Sequence, residues 1–269
     1  MTSRSQRSER KYVHFTERDG LIVQAVFLAR YLTNRQIGRL FFPNEESSAC
    51  RTRTRYLFDK GYLKKRPSPI NEPDVFYLGL RGRKHVSQTL NCPQDYVDRV
   101  AGVAGEAQAV SHDLAVSDLY VSLVLQCRER HWTLKWQNAR MLELRGWPVQ
   151  PDGRFRIEEL NKEAFIEYTD ALPSKKQMDG KLKGYAELFG DDPLPILWFF
   201  SSKTKLHQLH RYVKGWPYED WVLMGLVEED FLTRPVWKWV QKEELVSFIA
   251  RHEIMEAEGR PVTPTSGSC

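Results

Sequence analysis

Two carboxylates and one lysine are the residues of this chain whose types and spacing could do chemistry. Asp152 opens one predicted strand, in "QPDGRFRI", and Glu167 lies within the next, in "AFIEYTD". Carboxylates on adjacent strands can hold Mg2+ or Mn2+ through oxygen. Such an ion, with a lysine beside it, can activate water against a phosphodiester. The strand place for that lysine, two residues after Glu167, holds Thr169. A substitute can come from "SKKQMDGKLKGYAELF", where Gln177, Lys181 and Tyr185 stand at i, i+4 and i+8 and share one helix face. Asp152, Glu167 and Lys181 are therefore the candidate catalytic residues, and Asp152 and Glu167 the candidate metal ligands. Each also has an ordinary use, as a turn aspartate, a solvent-facing strand carboxylate or a surface lysine. An active metal-dependent endonuclease and a degenerate, nuclease-like fold both stay open, and Thr169 favours the degenerate state.

A second group could bind rather than react. "SSACRTRTRYLF" places Arg51, Arg53 and Arg55 at alternate positions. On a strand they would share a face. On a helix, Arg51 and Arg55 share a face with Ser48 and Thr52, while Arg53 lies about 200° round from Arg51. The elements on either side decide for the helix. "FTERDGLIVQAVFLARYLT" reads as a helix opened by Thr16 with Asp19 three residues on, and "TNRQIGRLFF" as another opened by Thr33 with Gln36. Gly61 stands where a helix C-terminus is commonly closed. "YLKKRPSPINEPDVFYLGL" then reads as a hairpin around a Pro/Asn-rich loop.

Three helices and a hairpin give the order of a winged helix-turn-helix. Its third helix would expose Ser48, Arg51, Thr52 and Arg55, a mix suited to base edges and phosphates. Arg35 on the second helix, and Lys64, Lys65 and Arg66 at the start of the wing, would meet backbone phosphates. The plain alternative is a winged helix used for protein contacts, with solvated arginines. Arg53, on the far side, is expected to meet a phosphate edge or to pair within the protein.

The charge distribution fits a polyanion partner. Residues 1–84 hold 18 Lys/Arg against 8 Asp/Glu, and the rest of the chain 22 against 27. Hydrophobic residues make up 41% of the 269, so a packed core is available. No apolar run approaches the roughly 20 residues of a membrane helix. The expectation is a cytoplasmic protein with no membrane partner and double-stranded DNA as its ligand. Four scattered cysteines lack metal spacing, and His207 and His210, three apart on a predicted helix, lack a third ligand.

The expected organisation is a basic tail at 1–13, the winged helix at 14–90, a linker at 91–108, an α/β domain at 109–250 and a polar tail at 251–269. In the fourth part an amphipathic helix, "AVSHDLAVSDLYVSLVLQCRER", precedes "HWTLKWQNARML", read as a strand. His112, with Asp113, could donate a contact from behind the carboxylate site, and its plainer use is an interhelical hydrogen bond. The strands carrying Asp152 and Glu167 follow. Then come the helix of Lys181, a buried strand in "PLPILWFFSS", a helix, a strand in "WVLMGLVEEDF" and a late helix in "KEELVSFIARHE". This order predicts a restriction-endonuclease-like α/β domain with a mixed central sheet. It matches the order in metal-dependent nucleases of the PD-(D/E)xK type, apart from Thr169. A third reading is an adaptor that holds protein partners through Trp216, Trp221, Trp237 and Trp239.

"FTERDGLIVQAVFLARYLTNRQIGRLFF…RTRTRYLFDKGYLKK…VFYLGLRGRKHV", followed by "SHDLAVSDLYVSL", "VQPDGRFRI", "AFIEYTD", "QMDGKLKGYAEL" and "PILWFFSS", resembles the replication-relaxation family of bacterial plasmids and mobile elements over about residues 15–215. The resemblance implies DNA binding linked to replication or mobilisation of an element or to its regulation. It also implies replication or mobilisation proteins as partners; a homodimer stays open. DNA binding of this kind needs no cofactor, whereas a nuclease would need Mg2+ or Mn2+. The family places an acidic residue two positions after the strand glutamate. Here that place is Thr169, with Asp170 one later.

Overall fold

The computed structural model describes residues 14–43, 48–66, 73–102, 107–171, 173–226 and 238–239. The chain divides into two units, 1–104 and 105–269. The basic tail 1–13, the polar tail 251–269, the late helix read in "KEELVSFIARHE" and Trp237 lie outside the described residues. Among those described, no helix is long and apolar enough to cross a membrane.

In the first unit, Thr16 and Asp19 open α1 (Glu17–Ala29) with a reciprocal capping box, and Thr33 with Gln36 opens α2 (Asn34–Phe41) in the same way. Ile22, Val23, Val26 and Phe27 of α1 are buried. The arginine-rich stretch is a helix, α3 (Ser48–Asp59). Its buried residues, Cys50, Thr54 and Leu57, follow helical spacing. Gly61, at φ 75, closes it, with the Tyr62 N–H donating to the Leu57 carbonyl at 2.9 Å.

The expected hairpin follows as β2 (Leu63–Arg66) and β3 (Val75–Leu78), antiparallel with Leu63 opposite Leu78. A two-residue strand, β1 (Leu32–Thr33), pairs with the other edge of β3 to give the sheet order β1-β3-β2. From the sequence the first helix is expected to extend through Leu32, while Thr33 caps α2 as expected. Leu32 leaves the helical path because Arg30 ends α1 at a φ of 69. α4 (Leu80–Thr89) lies so close to the preceding turn that a Cβ on Gly82 would stand 2.2 Å from the Tyr62 carbonyl oxygen. α5 (Gln94–Ala101) occupies much of the segment read as linker. Pro93 opens it, and Val97 and Val100 are buried.

The second unit begins with α6 (Ala107–Glu129). β4 (Leu134–Asn138) is shorter than the strand expected in "HWTLKWQNARML". The Asn138 side chain accepts from the Met141 N–H at 3.1 Å and starts the short helix α7 (Ala139–Glu143) instead. β5 (Gly153–Ile157), β6 (Lys162–Thr169), α8 (Lys175–Phe189), β7 (Ile196–Phe200), α9 (Lys203–Val213), β8 (Val222–Leu226) and β9 (Lys238–Trp239) complete the order. The sheet runs β4-β5-β6-β7-β8-β9. Its first three strands are antiparallel, β6, β7 and β8 are parallel, and β9 is antiparallel again. This is the mixed central sheet expected from the sequence. All five residues of β7 are buried, as a strand covered on both faces requires.

Candidate nucleic-acid interface and buried carboxylate cluster

The two candidate groups fall in different units. On α3, Ser48, Arg51, Thr52 and Arg55 are all exposed. The buried stripe of Cys50, Thr54 and Leu57 fixes the helix so that these four face away from the core. The Thr54 hydroxyl donates to Asn34 Oδ1 at 2.7 Å, tying α3 to the start of α2. Arg55 is 83% exposed in its side chain and lies 3.9 Å from Asp59 one turn on. Arg35 on α2 is exposed, as are Lys64 and Lys65 on β2; Arg66 is half-buried. Lys65 pairs with Asp74 across the hairpin at 2.7 Å.

Arg53 is different. It is the arginine that the helical phase sets apart, and it turns inward. Its Nε donates to Asp19 Oδ1 at 2.5 Å, its Nη2 pairs with Asp19 Oδ2, and Nη2 also reaches the His14 carbonyl. Asp19 is fully buried. One carboxylate thus caps α1 and anchors α3 to it. The hydrogen bond to Asp19 holds the Arg53 guanidinium above its ordinary value.

In the second unit, antiparallel pairing sets Gly153 opposite Ile166. Continued by one residue, that register brings Asp152 across from Glu167. Asp152 Oδ2 accepts from the Tyr168 backbone N–H at 2.8 Å. Its Oδ1 lies 3.0 Å from His112 Nε2, reaching from α6. Glu167 is fully buried. Its Oε1 accepts from the Tyr185 hydroxyl at 2.6 Å, and Oε2 pairs with Lys181 Nζ.

Met178, Leu182, Tyr185 and Phe189 bury one face of α8. Gly184 permits the approach, since a Cβ there would stand 2.7 Å from the Pro148 carbonyl. Lys181 lies over the Trp198 ring at 5.3 Å, and the Trp198 indole N–H donates to Thr169 Oγ1 at 2.8 Å. Thr169, in the strand's lysine place, therefore holds the ring on which the helix lysine rests.

Burial pushes the Glu167 carboxyl up to about 8, against the pull of Lys181, and the Asp152 charge adds to the rise. Burial would also raise Asp152, but the His112 hydrogen bond and the Lys181 charge hold it below the usual carboxylate range. Burial opposes the charge on Lys181, yet Glu167 and Asp152 keep its ammonium above the ordinary lysine value. His112 follows the same pattern, raised by Asp152 against its burial.

Several sequence-read residues stand elsewhere. Gln177, on the face of Lys181, is spent on the capping box of α8 with Ser174. His112 meets a strand carboxylate rather than another helix. Its only sequence signal was a titratable side chain on an amphipathic helix. Trp216 packs against Phe189 and Tyr218 in the core. His207 and His210 are exposed on α9. Among the described residues, no group of three His, Cys, Asp or Glu side chains is placed to hold a metal ion.

No curated protein matches the chain. Among solved structures, it is similar to TrmBL2, an archaeal chromatin protein whose structure shows a novel mode of DNA binding. That match has 11% identity and a TM-score of 0.19, over 81% of this chain and 74% of that one. A TM-score that low carries no weight for fold or function. The family comparison does carry weight. The replication-relaxation model matches residues 26–193, from within α1 through α8, which is more than half of the chain. This protein belongs to the replication-relaxation family.

Proposed function

We propose that this protein binds double-stranded DNA through α3 and the β2 strand of its first unit. Its role is in the replication or mobilisation of a bacterial plasmid or mobile element, or in regulating either. The reading places it in the cytoplasm, with replication or mobilisation proteins as partners. The observation that carries it is the split among the arginines. Arg53 is consumed by Asp19, while Arg51 and Arg55 stay exposed beside Ser48 and Thr52. Arg, Ser and Thr are the side chains that read base edges and phosphates from a helix in the major groove. Lys64 on β2 adds a charge placed to meet the backbone.

The second unit is proposed as a nuclease-like fold without cleavage activity. Asp152 and Glu167 stand across from one another where the β5–β6 register is continued by one residue. However, every oxygen of the pair already accepts from a protein donor, so these residues do not fit a resident Mg2+ or Mn2+.

The test is duplex binding by the double variant Arg51→Ala/Arg55→Ala, measured at two salt concentrations. One lost bidentate base contact is worth about 1–3 kcal/mol, so affinity should fall at least about tenfold while the fold is retained. Unchanged affinity would remove α3 as the DNA-contacting helix. Robust Mg2+-dependent cutting of plain duplex DNA by the wild-type protein would overturn the inactive reading of the second unit.

A further inference from the structure

The carboxylate pair has four oxygens, and each has its own donor: His112 Nε2 and the Tyr168 N–H on Asp152, and the Tyr185 hydroxyl and Lys181 on Glu167. These donors come from three elements, α6, β6 and α8. Two of them, Lys181 and His112, can carry positive charge, one on each carboxyl group. Lys181 is held from a further side, because Trp198 lies beneath its ammonium and Thr169 orients Trp198.

A divalent ion entering between the carboxylates would have to dislodge both cations. Otherwise it would sit beside them in a poorly screened interior, where like charges repel strongly. We infer that Lys181 and His112 stand in place of a divalent ion: they bind the two carboxylates directly, fasten α6 and α8 to the sheet without metal, and keep Mg2+ and Mn2+ out of the folded protein.

The cluster is then a structural clasp whose chemistry is latent. Continued by one residue, the β5–β6 register sets Asp152 across from Glu167, and removing the two resident cations would leave both carboxylates without a counter-charge. This rests on the reading of the second unit as inactive, but the two are separable. A protein that bound Mn2+ and still cut no DNA would defeat the inference alone, and DNA binding through α3 is measured independently.

The experiment is titration of the full chain with Mn2+, followed by the electron paramagnetic resonance signal of the free ion. Wild-type protein is expected to leave the signal unchanged. The double variant Lys181→Met/His112→Ala is expected to take up one equivalent. Adding Asp152→Asn to that variant should abolish the uptake. Stoichiometric uptake by the wild type that Asp152→Asn removes overturns the inference, and so does a folded double variant that takes up nothing.

If the double variant fails to fold, the wild type decides by its melting temperature. The same value in chelator and in Mn2+ supports the clasp. A rise in Mn2+ that Asp152→Asn abolishes overturns it.

Discussion

Each unit buries one carboxylate completely and meets it with a cation from a helix: Asp19 with Arg53 in the first, Glu167 with Lys181 in the second. The surroundings then diverge. In the first unit, one arginine of three is spent inside, and its neighbours Arg51 and Arg55 remain outside. In the second, His112, Lys181 and Tyr185 all turn inward onto the same two carboxylates. The contrast shows what net charge cannot. A basic segment can act on a partner only to the extent that its charges are not already used within the fold.

Removing each buried cation should separate the two units most strongly. Losing one partner of a buried ion pair typically costs about 3–5 kcal/mol, because the remaining charge is stranded. Arg53→Ala should fall in that range, since Asp19 also caps α1 and has no exposure. Lys181→Ala should cost less, because Glu167 can hold a proton in place of the ammonium, its carboxyl being already pushed up to about 8. Urea unfolding of both variants measures the difference. Equal losses, or a larger loss for Lys181→Ala, would show that proton uptake does not relieve the second unit.

The two units should also answer pH in opposite directions. His85 in the first unit is lowered by burial, and its Nε2 is buried with no hydrogen-bond partner. A lowered histidine binds fewer protons folded than unfolded, so its contribution is present above its ordinary value of 6.5 and lost as pH falls below it. In the second unit, Glu167 is raised from 4.5 to about 8. The folded state there binds more protons, so stability is present at the acid end and lost as pH rises through that window. The raised His112 acts in the same direction, while the lowered Asp152 loses its contribution only in more acid solution. From pH 5 toward 8, the first unit should therefore gain stability and the second lose it. All eight tryptophans lie in the second unit, so their fluorescence reports on it alone. Amide exchange in α1 and α4 reports on the first. Parallel pH trends would defeat the contrast, and Glu167→Gln should flatten the tryptophan profile.

The order of three helices and a hairpin in the first unit was legible because its signals are local. Capping boxes at Thr16 and Thr33 and the glycine after α3 each act within a few residues, and helical phase alone set Arg53 apart from Arg51. The mixed sheet was legible from the alternation of strands with amphipathic helices. The Asp152 and Glu167 pairing across neighbouring strands, with Lys181 one helix later, also follows from order. The sequence singled out His112 but not its partner, because His112 and Asp152 are about forty residues apart and only tertiary packing joins them. The same limit hid the second role of Asp19, whose capping signal is local but whose bond to Arg53 spans 34 residues. α5 was missed because a short helix after Asn91 and Pro93 resembles the punctuation of a linker.

Asp59, on the exposed side of α3, should matter least to stability. Asp59 is 58% exposed and lies 3.9 Å from Arg55, one turn away on α3. A pair of that kind is worth only about 0.3–0.5 kcal/mol to an isolated helix, so Asp59→Asn should leave unfolding nearly unchanged. Its effect on DNA binding has the opposite sign. If α3 meets the duplex as proposed, the carboxylate beside Arg55 opposes that contact, and removing it should tighten binding. Taken at the same size, the gain is about twofold in affinity, since 1.4 kcal/mol corresponds to tenfold. It should shrink as salt screens the exposed charges. Duplex titration at low and high salt, with Arg55→Ala/Asp59→Asn as the control, separates the two routes. If the gain persists in the absence of Arg55, it comes from general repulsion. If binding weakens in Asp59→Asn, this end of α3 does not face the duplex, and the outward arginines serve something other than DNA.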